Sequence, residues 1–231
     1  MERTESFNLD VVIRENLVEL NKRIALACER SGRLVSEVRV IAVTKNFPSS
    51  VVRVAYNCGL REFGENRVQE ARVKYAELTD LRNDIRLNLI GHLQSNKARD
   101  AIELFDIIHS VDSIKLAKAL NDRTDRRLSI MLQVNIAGEV SKSGLSIDEA
   151  AVVVPEIQKM PMLKVEGLMT IAPITRDIEA VRPIFSRLSK LKESLGLREL
   201  SMGMTDDYAV AIEEGSTMVR IGRAIFGERR I

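Results

Sequence analysis

Two hydrophobic periods alternate along this chain. Short runs rich in Val, Ile and Leu, typical of buried strands, recur between longer segments whose apolar residues are spaced three and four positions apart, as in amphipathic helices. This alternation indicates a parallel sheet with crossover helices. The runs predict eight strands, at residues 38–44, 61–64, 86–91, 106–111, 128–135, 165–170, 199–202 and 218–222.

Helices are predicted between these strands, and one more is predicted before the first strand. The apolar face of this N-terminal helix comprises Leu9, Val12, Ile13, Leu17, Leu20 and Ile24. No helix is expected after the eighth strand, and the N-terminal helix is expected to cover the gap that is left. Residues 150–155 combine β-branched side chains with Pro155, which disfavours a helix, but we predict a helix with a kink there.

Length and composition fit one barrel. A chain of 231 residues, 45% of them hydrophobic, is close to the usual length of an eight-stranded α/β barrel. No low-complexity stretch or linker interrupts the pattern. The sequence therefore predicts a single-domain (β/α)8 TIM barrel with an additional N-terminal helix, spanning residues 1–231.

Charge, aromatic content and cysteine spacing argue against several classes of function. A net charge of +2, no Trp and 4% aromatic residues disfavour binding to nucleic acid or a membrane surface. The charged N-terminus has no apolar signal core, so we expect a cytoplasmic protein. Cys28 and Cys58 form no Cys-x-x-Cys pair, and no disulfide is expected. His92 and His109, the only histidines, form no His-x-x-x-His pair, so no metal site is expected.

Two loops late in the chain are candidates for a phosphate site. They are Ser201-Met-Gly-Met-Thr-Asp-Asp207 and Arg220-Ile-Gly-Arg-Ala-Ile-Phe-Gly227, and each follows a predicted strand. Backbone N–H groups at glycines and at a helix N-terminus suit a phosphate. Thr205 or Asp206 is expected to cap the helix after the first loop. Taken singly, each loop is also what an ordinary capped helix or glycine turn requires, but two at consecutive strand ends favour the phosphate site.

Lys45 follows the first predicted strand, at the carboxyl end where TIM barrels place their functional residues. A lysine at this place also serves as a solvated strand terminus. Beside phosphate-type loops, an unprotonated lysine amine can condense with an aldehyde. This pairing suggests the cofactor pyridoxal 5'-phosphate (PLP).

Arg220 alternates with Val219 and Ile221 in a strand that should be buried on both faces, so its guanidinium needs a polar partner. A guanidinium only donates hydrogen bonds, and a pyridine nitrogen bonded to it must therefore accept and stay unprotonated. The alternative partner is an interior carboxylate such as Glu65.

Seven segments carry a resemblance to a known family. They are Ile41-Ala-Val-Thr-Lys45, Phe63-Gly-Glu-Asn-Arg-Val-Gln-Glu70, Leu89-Ile-Gly-His-Leu-Gln-Ser-Asn-Lys97, Ser141-Lys-Ser-Gly144, Gly167-Leu-Met-Thr-Ile-Ala-Pro173, Leu200-Ser-Met-Gly-Met-Thr-Asp-Asp207 and Val219-Arg-Ile-Gly222. In this order they resemble the pyridoxal phosphate homeostasis proteins, single-domain barrels related to the N-terminal domain of alanine racemase. The resemblance runs nearly from end to end.

The resemblance implies that Lys45 carries PLP as an internal aldimine, that Arg220 faces the pyridine nitrogen and that Asn66 lies near the ring. The phosphate site that it implies consists of two hydroxyl side chains and nearby backbone amides, at Ser201, Thr205, Ile221 and Gly222. Arg223 stands where many relatives have a small hydroxyl residue, so one side-chain bond to the phosphate is lost. His92 and residues 94–97 are expected at the same rim, without an assigned ligand.

The resemblance implies a non-enzymatic protein, without catalytic residues, that holds or delivers PLP and maintains its intracellular level. The expected partners are PLP and PLP-dependent apoenzymes, and a monomer is expected. Similar racemases use a tyrosine from a second domain, whereas only a few residues follow the eighth strand here, and Tyr208 is expected to pack within its helix. The alternatives are a single-domain PLP-dependent amino-acid racemase or decarboxylase, and a phosphate-handling barrel such as a sugar-phosphate isomerase.

Overall fold

Eight parallel strands form a closed barrel in chain order in the computed structural model, which describes residues 2–139 and 142–227, with side chains from residue 9 onwards. The strands are β1 (Arg39–Val43), β2 (Glu62–Glu65), β3 (Arg86–Leu89), β4 (Ile107–Val111), β5 (Leu128–Gln133), β6 (Leu163–Met169), β7 (Glu199–Ser201) and β8 (Met218–Ile221). All eight predicted strands are present, and the barrel closes where β8 pairs with β1. The predicted (β/α)8 TIM barrel is confirmed.

Helices follow the strands around the outside of the barrel. They are α1 (Glu2–Arg30), α2 (Ser49–Asn57), α3 (Val68–Ala76), α4 (Ala98–Leu104), α5 (Ile114–Asn121), α6 (Ile147–Gln158), α7 (Arg182–Ser194), α8 (Tyr208–Glu213) and α9 (Arg223–Phe226), with 3-10 turns at Val35–Glu37, Thr79–Leu81, Ser95–Lys97 and Ile178–Val181. Pro155 lies inside α6, so the predicted helix is confirmed there, and a capping box of Ser146 and Glu149 begins it. The expectation that no helix follows β8 was wrong, because α9 begins directly after it and buries Ile225 and Phe226.

The N-terminal helix α1 takes much of the space beside β8, as predicted. It packs against α2, α8 and α9, and the Asn16 side chain donates a 2.9 Å hydrogen bond to the carbonyl of Ile225 in α9. Ile13 and Leu20 are buried, whereas Val12, which the periodicity placed on the same face, is 36% exposed. Since α9 is only four residues long, α1 supplies the apolar cover that a longer helix after β8 would give.

The core has an outer layer between strands and helices and a small cluster inside the barrel. The inner cluster consists of Ile41, Ile107, Met131, Met169 and Met218. His109 and Arg220 lie two residues after Ile107 and Met218 on the same strands, and their buried side chains are polar instead of apolar. The barrel interior therefore becomes polar toward the carboxyl ends of the strands.

Cys28 and Cys58 are both free thiols. In the described part of the chain, no group of three or more side chains is arranged to hold a metal ion. Nor do residues 2–139 and 142–227 include a helix with the length and apolar character needed to cross a bilayer.

Candidate functional site

A cavity of about 860 Å³ opens where the loops after the strands converge. Five of the predicted site residues line it, namely Lys45, Asn66, Thr205, Arg220 and Gly222, together with His92 and Arg223. Ser201, Ile221 and residues 94–97 are not part of its lining. The cavity lies at the carboxyl ends of the strands, where the fold predicts a binding site.

Barrel closure explains why distant parts of the sequence meet here. Ala42 of β1 pairs with Ile221 of β8, so the loop that carries Lys45 is the direct neighbour of the loop that carries Gly222. The β7 loop with Thr205 comes next, because β7 pairs with β8. An amine, a hydroxyl group and backbone amides therefore share one side of the cavity.

Arg220 is only 4% exposed, and carbonyl and hydroxyl groups hold its guanidinium. Nη1 donates to the carbonyl and hydroxyl oxygens of Ser201, at 2.6 and 2.7 Å, and Nη2 donates to the carbonyl of Thr170 at 2.8 Å. Burial lowers the pKa of Arg220 to about 10, so the group stays charged at neutral pH. Glu65, the alternative partner, instead bonds Lys74 at 2.7 Å, so that hypothesis was wrong.

A chain of hydrogen bonds continues from Arg220 through the barrel. Ser201 Oγ lies 2.9 Å from His109 Nδ1, and His109 Nε2 lies 3.0 Å from Asn88 Oδ1, while Asn88 Nδ2 donates to Glu62 at 3.0 Å. Because Asn88 Oδ1 only accepts, His109 carries its proton on Nε2, and Nδ1 accepts from the Ser201 hydroxyl. Every bond in the chain then points from Arg220 toward Glu62, which fixes the guanidinium at the cavity wall.

Two parts of the predicted phosphate site need correction. Ser201 is fully buried, because its side chain points into the barrel and its hydroxyl bonds Arg220 and His109 instead of facing the cavity. Ile221 is also fully buried and packs in the outer apolar layer, so only its neighbour Gly222 reaches the lining. Ser201 therefore supports Arg220 from behind.

The β7 and β8 loops are tied to each other. The backbone N–H of Ala224 donates to Thr205 Oγ1 at 3.5 Å, and Arg223 pairs with Asp206. The predicted cap by Thr205 or Asp206 was wrong, since Asp207 is the N-cap of α8 and its carboxylate accepts from the Met204 N–H at 2.6 Å. Because α8 has six residues and α9 has four, their helix dipoles add little to the binding of an anion in the cavity. The main donors toward such an anion are the N–H and hydroxyl groups of the loops themselves.

Polar residues at the end of β5 and directly after it were not predicted from the sequence. Gln133 and Asn135 line the cavity, as do Lys142 and Ser143. The Gln133 amide donates to the Ser143 carbonyl at 2.7 Å, and the Lys142 ammonium bonds Glu139 at 2.6 Å. Polar residues at alternate positions at the end of a buried strand were the available signal. The resembling segment that starts at Ser141 lies here, although Ser141 itself is outside the described residues.

None of the chain's three tyrosines belongs to the described cavity lining. Tyr208 is 4% exposed at the start of α8, as expected, and Tyr75 is 5% exposed. Tyr56 donates to Asp84 at 2.5 Å. The imidazole of the lining is that of His92, whose side chain is 56% exposed and lies 3.3 Å from Asp112.

Comparison with known proteins identifies the family. Residues 16–230 match the family model of the alanine racemase N-terminal domain. The pyridoxal phosphate homeostasis protein of Pseudomonas aeruginosa is 42% identical, over 94% of this chain and 96% of its own. That of Aquifex aeolicus is 40% identical, over 94% and 98%. The structure of PipY from Synechococcus elongatus with PLP bound has a TM-score of 0.82 at 38% identity, covering 93% of this chain and all of PipY. The chain therefore belongs to the pyridoxal phosphate homeostasis protein family, which is built on the alanine racemase N-terminal domain.

Proposed function

We propose that this protein binds PLP and helps to maintain its level inside the cell, without catalysis of its own. The observation that carries the proposal is the convergence of Lys45, Arg220, Thr205 and Gly222 on one cavity. The names of the relatives and the PLP-bound structure of PipY support it. A cytoplasmic location, a single domain of residues 1–231, a monomeric state and delivery to PLP-dependent apoenzymes remain predictions within this proposal.

The residues present fit the cofactor. A buried guanidinium without a salt bridge in the described residues has donors for an acceptor such as an unprotonated ring nitrogen. Thr205 and the amide of Gly222 would hold the phosphate, with Arg223 adding charge at the entrance, and Asn66 would lie near the ring. The cofactor supplies an aldehyde. We propose that the Lys45 amine adds to its carbon and one water leaves, which gives the covalent aldimine.

Two features support a carrier rather than an enzyme. A ring nitrogen that accepts from Arg220 stays unprotonated, so the ring is a poor electron sink for a substrate carbanion. The described lining also lacks a tyrosine, and its imidazole, His92, is largely exposed to solvent. General acid and base groups poised inside a protected site are what racemisation requires.

The assignment of Lys45 is tested by reduction and mapping. We expect the purified protein to be yellow and borohydride to fix a pyridoxyl group on Lys45, as measured by peptide mass spectrometry. Lys45→Ala should lose the visible absorbance. Lys142→Ala is the matched control because it removes another lysine of the same cavity, and it should keep the colour. A pyridoxyl group on Lys142 or Lys97 of the wild type would contradict the assignment.

A further inference from the structure

The side chain of Lys74, in α3, is 5% exposed and its ammonium is fully engaged outside the barrel wall. Nζ donates to Glu65 Oε1 at 2.7 Å, to the Thr44 carbonyl at 2.7 Å and to Glu70 Oε1 at 3.1 Å. We call Glu65, Glu70 and Lys74 the Lys74 cluster. An ammonium has three donors, so the cluster uses all of them.

The Lys74 cluster holds the backbone on both sides of Lys45. The residue before it, Thr44, gives its carbonyl to Lys74, and its hydroxyl donates to Glu65 Oε1 at 2.8 Å. The residue after it, Asn46, donates its backbone N–H to Glu70 Oε1. Asn46 has a φ of +64°, in the left-handed region that non-glycine residues seldom adopt. The turn that carries Lys45 is therefore fastened at its two neighbouring residues.

A contribution to the stability of the fold is a weak explanation for this cluster. Glu65 is completely buried, and its Oε2 atom has no hydrogen-bond partner within the described part of the chain. Desolvation raises the pKa of Glu65, which reflects the cost of keeping a charge there. Apolar side chains of similar size often stabilise a fold as well as a buried ion pair. A positional role explains why charged groups stand behind this turn.

We propose that the Lys74 cluster positions Lys45, by fixing the turn so that the amine points into the cavity at the place of the cofactor aldehyde. The inference rests on the proposed function, and it assigns roles to Glu65 and Glu70, which flank Asn66 in one sequence segment. A covalent bond forms only when the amine lies close to the aldehyde carbon. A fixed turn holds the amine near that position, so that fewer conformations have to be sampled. The residues proposed to hold the phosphate, Thr205 and Gly222, lie on other loops.

Glu70 is the residue to change, because its side chain is 26% exposed and stands in the first turn of α3, where alanine is tolerated. Glu70→Ala removes the acceptor for Asn46 and Lys74. Glu70→Gln keeps an acceptor oxygen in place and serves as the conservative rescue. Gln69→Ala is the matched control, because Gln69 is the exposed neighbour on the same helix. Wild type and Lys45→Ala complete the set.

Two ligands separate positioning from general binding. PLP reports covalent capture through its visible spectrum and borohydride trapping, whereas pyridoxine 5'-phosphate carries an alcohol in place of the aldehyde and reports non-covalent binding alone. We expect Glu70→Ala to lower the equilibrium constant for covalent capture at least about tenfold, the typical effect of losing a charge-assisted hydrogen bond. Glu70→Gln and Gln69→Ala should stay within about twofold of wild type, and all variants should bind pyridoxine 5'-phosphate equally.

The outcomes are distinct. Wild-type covalent capture in Glu70→Ala would overturn the positioning role while leaving Lys45 as the attachment site. An equal loss of pyridoxine 5'-phosphate affinity in Glu70→Ala would also overturn it, since the cluster would then support the whole site. Absence of a Lys45 adduct in the wild type would overturn the proposed function, and this inference with it.

Discussion

His109 is a fully buried histidine that donates from Nε2 and accepts at Nδ1. Burial holds its pKa well below the usual value, and the positive charges of Arg220, Arg39 and Arg86 act in the same direction. In an unfolded chain the same imidazole titrates near pH 6.5. Folding therefore keeps His109 neutral at pH values where the unfolded chain binds a proton.

This difference predicts a pH dependence of stability. Below about pH 6.5 the unfolded state takes up a proton that the folded state does not, so the free energy of unfolding falls as the pH falls, by up to about 1.4 kcal/mol per pH unit from this group. His109→Gln keeps one donor and one acceptor without a titrating group, and its stability should decline less between pH 7 and pH 5. Urea unfolding at both pH values measures the two slopes. Glu65 and Asp207, whose pKa values are raised, occur in both proteins, so their contributions to the pH dependence of stability cancel in the comparison. Equal slopes would show that His109 takes up its proton as readily in the folded protein as in the unfolded chain.

The sequence predicted some site residues better than others, for physical reasons. Lys45 and Arg220 were correctly placed at the cavity, Lys45 because it follows the carboxyl end of a barrel strand and Arg220 because a charged residue in a buried strand needs a polar partner. The position of Ser201 was wrong because its direction depends on His109, which lies 92 positions earlier in the chain. The Lys74 cluster was missed for the same reason, since the spacing of Glu70 and Lys74 indicates a helix pair but says nothing of Thr44 or Asn46.

At the scale of elements, the loop between β7 and α8 depends on Gly203. This residue has a φ of +93°, and a Cβ there would lie 2.6 Å from the Cβ of Ala211 and 2.9 Å from the Cα of Tyr208. Both atoms belong to α8, so neither can move away from the added Cβ without a shift of the helix. The same loop carries Thr205 into the cavity, so the close approach of α8 to Gly203 also shapes the side of the cavity that is proposed to hold the phosphate.

Two glycine variants separate the steric cost of an added methyl group from the conformational cost of a positive φ. Gly196 also has a positive φ, +64°, but nothing lies within 4 Å of a Cβ placed there. We expect Gly196→Ala to lower the free energy of unfolding by about 1 kcal/mol. Gly203→Ala should cost at least about 2 kcal/mol more, because the added methyl group meets the Cβ of Ala211 and the Cα of Tyr208. Urea unfolding measures both, and equal losses would mean that the loop adapts without strain.

Elements with a strong periodic signal were predicted well, and short ones were not. Strands β4 and β5, for example, are rich in Ile and Leu and are buried along almost their whole length, so the local sequence predicts where they lie. The four residues of α9 are too few to show a period, and the cap of α8 was misplaced by one or two residues because adjacent polar residues all suit a cap.

At the scale of the whole molecule, closure of the barrel creates the site. Lys45 and Arg220 come from the first and last strands, and they share a cavity only because β1 pairs with β8. The alternation of strands and helices predicted a parallel sheet, and the count of eight strands, the chain length and the family resemblance together predicted its closure. The volume of the cavity and the residues that line it near β5 were not predictable, since both depend on how loops from different strands pack together.

The whole arrangement also bears on whether this barrel is a carrier or an enzyme. A racemase must remove a proton from the substrate α-carbon on one face and return one on the other, which takes two groups. Lys45 is one candidate, but the described lining holds no tyrosine, and His92 stands in solvent at the rim. If Arg220 bonds the ring nitrogen and keeps it unprotonated, as proposed, the carbanion gains little stabilisation from the ring. We therefore expect L-alanine in deuterated water to exchange its α-hydrogen no faster with the PLP-loaded protein than with free PLP at the same concentration, as measured by NMR and chiral chromatography. Exchange at enzyme-like rates that disappears in Lys45→Ala would instead establish the racemase or decarboxylase alternative, and its loss in His92→Ala would identify the second group.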